Sequence, residues 1–223
     1  MKRIGITQRV VWVERIGERR DVLDQRWYEF AREAGIMLVP IPNNIESPAW
    51  YADVLNLEGI VFSGGNNVGL FGKELLEGKT IWDNDVAYER DLTEAALLEW
   101  AIETDRPVIG VCRGLQLMNA YFEGRQSPVS PEVHVAKQHN IEIEDGFFRQ
   151  FYGTQAMVNS YHRWGILGEE LAGPLIPEAY YDTNNVEAFR HQEHRLYGIM
   201  WHPERYRTFA YVDINFFKHV FEV

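Results

Sequence analysis

The chain has one cysteine, Cys112, in 223 residues. No intramolecular disulfide can form, and a reducing, cytoplasmic setting is expected. Basic residues are scarce as well: 22 Lys and Arg against 33 Asp and Glu leave a net charge of −11. That balance argues against a nucleic-acid partner or an anionic membrane surface, while leaving room for a local basic pocket. No apolar run approaches the length of a membrane span. The opening MKRIGIT passes straight into a strand pattern, without an apolar signal segment. Repeats, low-complexity tracts and linkers are missing too, which predicts one domain over residues 1–223. What is present suits an enzyme, since 46% hydrophobic residues can fill one sizeable core.

The first half alternates between two periods. Residues 3–7, 37–41 and 59–63 read as strands, and residues 49–55 and 85–104 as helices. Leu23, Trp27, Phe30, Ala31 and Ala34 form one helical stripe that Gly35 ends. Residues 8–21 are expected as a long loop carrying Arg9, Arg15, Arg19 and Arg20 among acids, with Trp12. Residues 68–84, glycine-rich and charged, read as a mobile excursion. Alternation of this kind predicts a parallel sheet covered on both faces. After Phe122 short strands follow at 139–144, 155–159, 179–182, 186–190 and 196–201, with hairpin-like spacings. A last helix is expected to bury Phe209, Val212, Phe216 and Val220 on one face. The fold class is therefore α/β, with a partly antiparallel second half.

The chemistry centres on Arg106 to Ala120, RPVIGVCRGLQLMNA. A β-branched run leads into Gly110-x-Cys112-x-Gly114 and then into a helical pattern, the layout of a nucleophile elbow. A thiol there sits at a helix N-terminus, where unpaired amides and the helix dipole favour thiolate. A lone cysteine is more often a buried structural thiol, but such a thiol does not need two backbone-permissive neighbours.

A thiol nucleophile needs a base and a group to orient it. His202 follows an apolar strand, with Pro203 and Glu204 behind it; a His-Pro-Glu alone more often caps a strand and starts a helix than it serves as base and orienter. Asn159-Ser160-Tyr161-His162 offers backbone amides for a substrate carboxylate, with His162 as a second histidine or an ordinary surface one. Ser63-Gly64-Gly65 could supply an oxyanion amide to pair with that of Arg113, or be a simple turn. No Cys/His cluster has ligand spacing, so neither a metal nor a cofactor is expected.

Gly-x-Cys-x-Gly-x-Gln at 110–116, Asn-Ser-x-His at 159–162 and Trp-His-Pro-Glu at 201–204 together resemble the class I glutamine amidotransferase-like superfamily. The stand-alone gamma-glutamyl hydrolase branch is more similar still, through Ser63-Gly64-Gly65 and the Arg90-Asp91-x-x-Glu94 pattern. The resemblance implies a flavodoxin-like three-layer sandwich with a mostly parallel sheet. It also implies Cys112 as nucleophile, His202 as base, Glu204 as its orienter, Gly65 and Arg113 as oxyanion amides, and Gln116 at the glutamyl head. Asn66-Asn67 and Met200 depart from the family pattern, where an aspartate and a glutamine are usual.

The implied reaction is cleavage of a gamma-glutamyl amide through a thioester. Arg9 and its neighbours would suit a phosphorylated or nucleotide-linked leaving group, since arginine pairs with phosphate and indole stacks on a base. A self-paired, solvated loop is the competing reading. The opening segment is similar to a capsule-pathway sub-branch that cleaves gamma-glutamyl-CDP-amidate to glutamate and cytidine diphosphoramidate. The alternatives are a hydrolase of gamma-glutamyl amines such as gamma-glutamyl-GABA, a glutaminase subunit serving a synthase, and an inactive regulatory homologue.

Overall fold

The computed structural model describes residues 1–72, 74–75 and 85–223. The central sheet has nine strands: β1 (Lys2–Thr7), β2 (Ile36–Ile41), β3 (Ile60–Phe62), β4 (Val108–Val111), β5 (Val135–Ile143), β6 (Gln155–Tyr161), β7 (Leu175–Tyr181), β8 (Asn185–His191) and β9 (Leu196–Ile199). Their order is β6-β5-β7-β8-β9-β4-β3-β1-β2. From β2 to β9 every pairing is parallel, and from β9 to β6 every pairing is antiparallel. Helices α1 (Arg26–Ala34), α2 (Pro48–Val54), α3 (Tyr88–Glu103), α4 (Arg113–Tyr121), α5 (Pro131–His134), α6 (Arg149–Tyr152) and α7 (Tyr211–Phe221) complete the sandwich. Among the described residues no helix is long and apolar enough to cross a membrane.

Local sequence explains the parallel half. All four residues of β4 are buried, as a strand covered on both faces requires. Trp27, Phe30, Ala31 and Ala34 make the buried stripe of α1, and Gly35 ends it at φ 72°. That stripe meets α7, with the Phe30 and Phe217 rings 4.8 Å apart. Strand order reverses around β1, so ligands are expected beyond the carboxyl ends of β1, β3, β4 and β9.

Two expectations change, and a third falls largely outside the described residues. Residues 8–21 form a hairpin, Arg9–Val13 paired with Glu18–Val22, rather than a long loop. The β-branched Val10, Val11 and Val13 carry that strand propensity, and Gly17 turns the chain at φ 66°. The last helix is rotated from its expected face: Ile214, Phe216, Phe217, Val220 and Phe221 are buried while Val212 is exposed. Phe209 lies ahead of the helix, against Phe30. The expected excursion at 68–84 lies largely outside the described residues, and of its described part Val68 and Leu70 are buried in the core.

Candidate active site

Cys112 joins β4 to α4 at φ 53° and ψ −102°, a conformation that costs roughly 1–3 kcal/mol and persists only when the surroundings impose it. They do so here. The Cys112 N–H donates to the Ile199 carbonyl at 2.8 Å, tying the elbow to β9. A Cβ on Gly114 would lie 2.3 Å from the Phe62 carbonyl oxygen, so only glycine lets α4 start this close to β3.

His202 leaves the sheet at the same edge, because β9 and β4 are parallel neighbours with Ile199 opposite Val111. Four contacts fix it. Trp201 is buried and donates its indole N–H to Asp213 at 3.0 Å. The Asn159 side chain accepts from the His202 N–H and donates to the His202 carbonyl, each at 2.8 Å. Glu204 Oε1 stands 2.7 Å from His202 Nδ1, which leaves Nε2 free for the thiol. A Cβ on Gly64 would sit 2.5 Å from the ring, so Gly64 makes room for the imidazole.

Burial alone would raise the Cys112 thiol, but the charge and hydrogen bond of His202, aided by His162 and Arg205, outweigh it and hold the thiol below its ordinary value. Burial would lower His202, while the Glu204 and Cys112 charges reverse that and carry it up to about 9. The two shifts favour a thiolate–imidazolium pair at neutral pH.

A buried ionic network lies behind the elbow. Arg90 donates to the carbonyls of Ser63, Gly64 and Gly65 and to Glu94 Oε1. Glu94 and Asp91 also hold the Arg113 guanidinium, and Asp91 Oδ2 accepts from the Gly69 amide at 2.8 Å. In a trans peptide C=O and N–H point in opposite directions. Arg90, by gripping the Gly64 carbonyl, therefore turns the Gly65 N–H away from itself. The Arg113 N–H is the first amide of α4 and has no partner within that helix.

These elements frame a cavity of about 460 Å³. Its lining brings together Cys112 and His202 with Gly65, Arg113, Gln116, Tyr161, His162 and Arg9. Gln116 Nε2 donates to the Trp164 carbonyl at 2.7 Å and lies 3.9 Å from the Met200 sulfur. Arg9 pairs with Asp85 at 2.8 Å.

Asn159 and Ser160 do not line the cavity. The Asn159 side chain is spent on His202 and its N–H donates to Tyr206, while Ser160 Oγ donates to the His134 carbonyl. The Asn159 N–H is therefore not offered to a carboxylate as expected. Of the four hairpin arginines only Arg9 reaches the cavity; Arg19 pairs with Glu89 and Arg20 with Glu18. Sequence reasoning missed Arg163 and Arg205, which do line it. Their place beside His162 and Glu204 was the available signal. Ligand spacing was also misleading: the fold gathers His134, His139 and Glu187 into one cluster, with His162 beside it.

The family model of Peptidase C26 matches residues 4–204. The chain belongs to the Peptidase C26 family. Within this gamma-glutamyl hydrolase and glutamine amidotransferase-like group, it is 30% identical over 204 residues to the gamma-glutamyl-CDP-amidate hydrolase of Campylobacter jejuni, covering 91% of this chain and 90% of that one. It is 27% identical over 210 residues to the gamma-glutamyl-gamma-aminobutyrate hydrolase of Escherichia coli O157:H7, covering 84% and 80%. In fold it resembles the crystal structure of a glutamine amidotransferase from Thermotoga maritima, with a TM-score of 0.64 at 15% identity, covering 91% of this chain and 76% of that one. Membership in Peptidase C26 makes the chain a hydrolase.

Proposed function

We propose that this hydrolase cleaves the C–N bond of a gamma-glutamyl amide through a gamma-glutamyl thioester on Cys112. The observation that carries the reading is the thiol of lowered pKa beside an imidazole that Glu204 holds at 2.7 Å, at the edge of one cavity. Cys112 thiolate attacks the side-chain carbonyl, and the amides of Gly65 and Arg113 take the oxyanion. His202 imidazolium passes its proton to the departing nitrogen as the C–N bond breaks. The neutral imidazole then takes a proton from water, whose oxygen attacks the thioester and releases glutamate. Glu204 orients His202, and Gln116 contacts the glutamyl head.

The leading substrate is gamma-glutamyl-CDP-amidate, which would yield glutamate and cytidine diphosphoramidate. Arg9, Arg163 and Arg205 line the cavity of a chain whose net charge is −11, a local reversal that suits an anionic leaving group. The name of the Campylobacter relative agrees with that chemistry. A gamma-glutamyl amine such as gamma-glutamyl-GABA is the second reading, favoured by the Escherichia relative.

The test presents purified protein with gamma-glutamyl-CDP-amidate, gamma-glutamyl-GABA and glutamine, and follows products by mass spectrometry. The nucleotide substrate is expected to lead in kcat/KM by about ten-fold or more, the worth of one charge-assisted contact. A preference for gamma-glutamyl-GABA would transfer the reading to amine hydrolysis. Failure to hydrolyse any of the three would overturn it.

A further inference from the structure

His134 ends α5, His139 lies on β5, His162 follows β6 and Glu187 lies on β8. The fold carries these four side chains to one buried point. Glu187 Oε1 is 3.5 Å from His139 Nε2, 3.6 Å from His162 Nε2 and 3.8 Å from His134 Nδ1. Each facing atom is buried, and none has a hydrogen-bond partner among the described residues; Glu187 Oε2 is likewise unpartnered. A buried carboxylate with both oxygens unsatisfied costs a fold dearly unless something positive completes it.

The tautomers sharpen the point. His162 Nδ1 lies 2.9 Å from the Trp164 carbonyl, which only a ring N–H can satisfy. Its Nε2 is thereby left facing Glu187, and it offers a lone pair there once a metal displaces its proton. Metal-bound histidines are oriented in this way, by a carbonyl on the other ring nitrogen. The His134 carbonyl accepts from Ser160 Oγ at 2.8 Å and from the His162 N–H at 3.1 Å, which pins the second ligand. Tyr181 stacks on the His139 ring at 4.4 Å and meets His134 edge-on at 5.1 Å, walling the cluster off.

The geometry points to a structural zinc site in which His134, His139, His162 and Glu187 each give one ligand atom. One ligand atom each from His134, His139 and Glu187 lie within 4.8 Å of one another. Around a tetrahedral ion with bonds of about 2.0–2.1 Å, ligand atoms stand roughly 3.3–3.4 Å apart. The separations of His139 and His134 from Glu187, 3.5 and 3.8 Å, need to shorten by only a few tenths of an ångström, whereas His162 lies outside the 4.8 Å group and has to turn toward the other two imidazoles to complete the tetrahedron. Three imidazoles and one carboxylate suit zinc, whereas magnesium and calcium take oxygen donors. The ion would tie α5, β5, the end of β6 and β8 together. Because His162 also lines the cavity around Cys112, it would fix one wall of that cavity.

The test uses full-length protein with Cys112 blocked by iodoacetamide, so that the thiol and His202 cannot themselves capture the ion. Metal content is measured after purification without a histidine tag. Chelator-stripped protein is then titrated with zinc, and separately with cobalt(II). One equivalent of zinc per chain and the intense visible bands of four-coordinate cobalt are expected. His139→Ala and Glu187→Gln should each weaken zinc binding by about 100-fold or more while far-ultraviolet circular dichroism stays that of the parent. The blocked parent protein needs no substitution, so a folding failure in either variant does not blunt the test. Blocked, folded parent that takes up neither zinc nor cobalt overturns the site. So does a cobalt spectrum that survives in both folded variants.

Discussion

Two buried clusters each lend one residue to the wall around Cys112: Arg113 comes from the network of Arg90, Asp91 and Glu94, and His162 from the group around Glu187. In the first cluster all four carboxylate oxygens have partners and, of the guanidinium nitrogens, only Arg113 Nε lacks one. In the second, both oxygens of Glu187 and the three facing ring nitrogens are unmatched among the described residues. The contrast is one of completeness. A cluster that satisfies itself can set backbone, as Arg90 does at Ser63 to Gly65; one with open hydrogen-bonding positions leaves room for the proposed ion.

The largest effect is expected from breaking the complete cluster. Arg113→Met would leave the Asp91 and Glu94 charges buried and short of a partner, costing about 3–5 kcal/mol in denaturant unfolding. Turnover should fall with it, because the same network holds the turn before Gly65. The incomplete cluster should answer to metal instead. Zinc at about 100 times its Kd should stabilise stripped protein by about 2.7 kcal/mol, seen as a rise in Tm, and magnesium should not.

Between the clusters lies the thiol, whose pH dependence reports the charges that face it: His202, His162 and Arg205. An ordinary thiol of pKa about 8.5 is only about 3% ionised at pH 7. With Cys112 lowered, alkylation by iodoacetamide at pH 7 should run faster than for a free thiol. It should slow only as pH falls through the lowered pKa. Turnover should fall above about pH 9, where His202 loses the proton it gives the leaving nitrogen. The smallest effect separates cavity from hairpin. Arg9→Ala should raise KM for a phosphorylated substrate about ten-fold, and Arg20→Ala, paired with Glu18 outside the cavity, should cost under about 0.5 kcal/mol.

The same contrast runs through what the sequence disclosed. The elbow and α1 were legible because each is written in neighbouring residues with a period of 2 or 3.6, and the Arg90-Asp91-x-x-Glu94 pattern through its resemblance to the gamma-glutamyl hydrolase branch. Cys112 and His202 could be paired because both follow apolar strands. The Glu187 cluster draws on positions 134, 139, 162 and 187, and no local period announces a meeting of four separate elements. The hairpin at 9–22 was hidden by its charges, which mask the alternation of Val11 and Val13. Arg163 and Arg205 carried only one signal, their place beside His162 and Glu204.

The central claim is that Cys112 carries the gamma-glutamyl group. Rapid acid quench of parent protein turning over the best of the three substrates, followed by peptide mass spectrometry, addresses it directly. A gamma-glutamyl adduct on the peptide bearing Cys112, released by hydroxylamine and missing from Cys112→Ala, is the predicted result. Hydrolysis by Cys112→Ala at the parent rate, or an adduct on another residue, would contradict it.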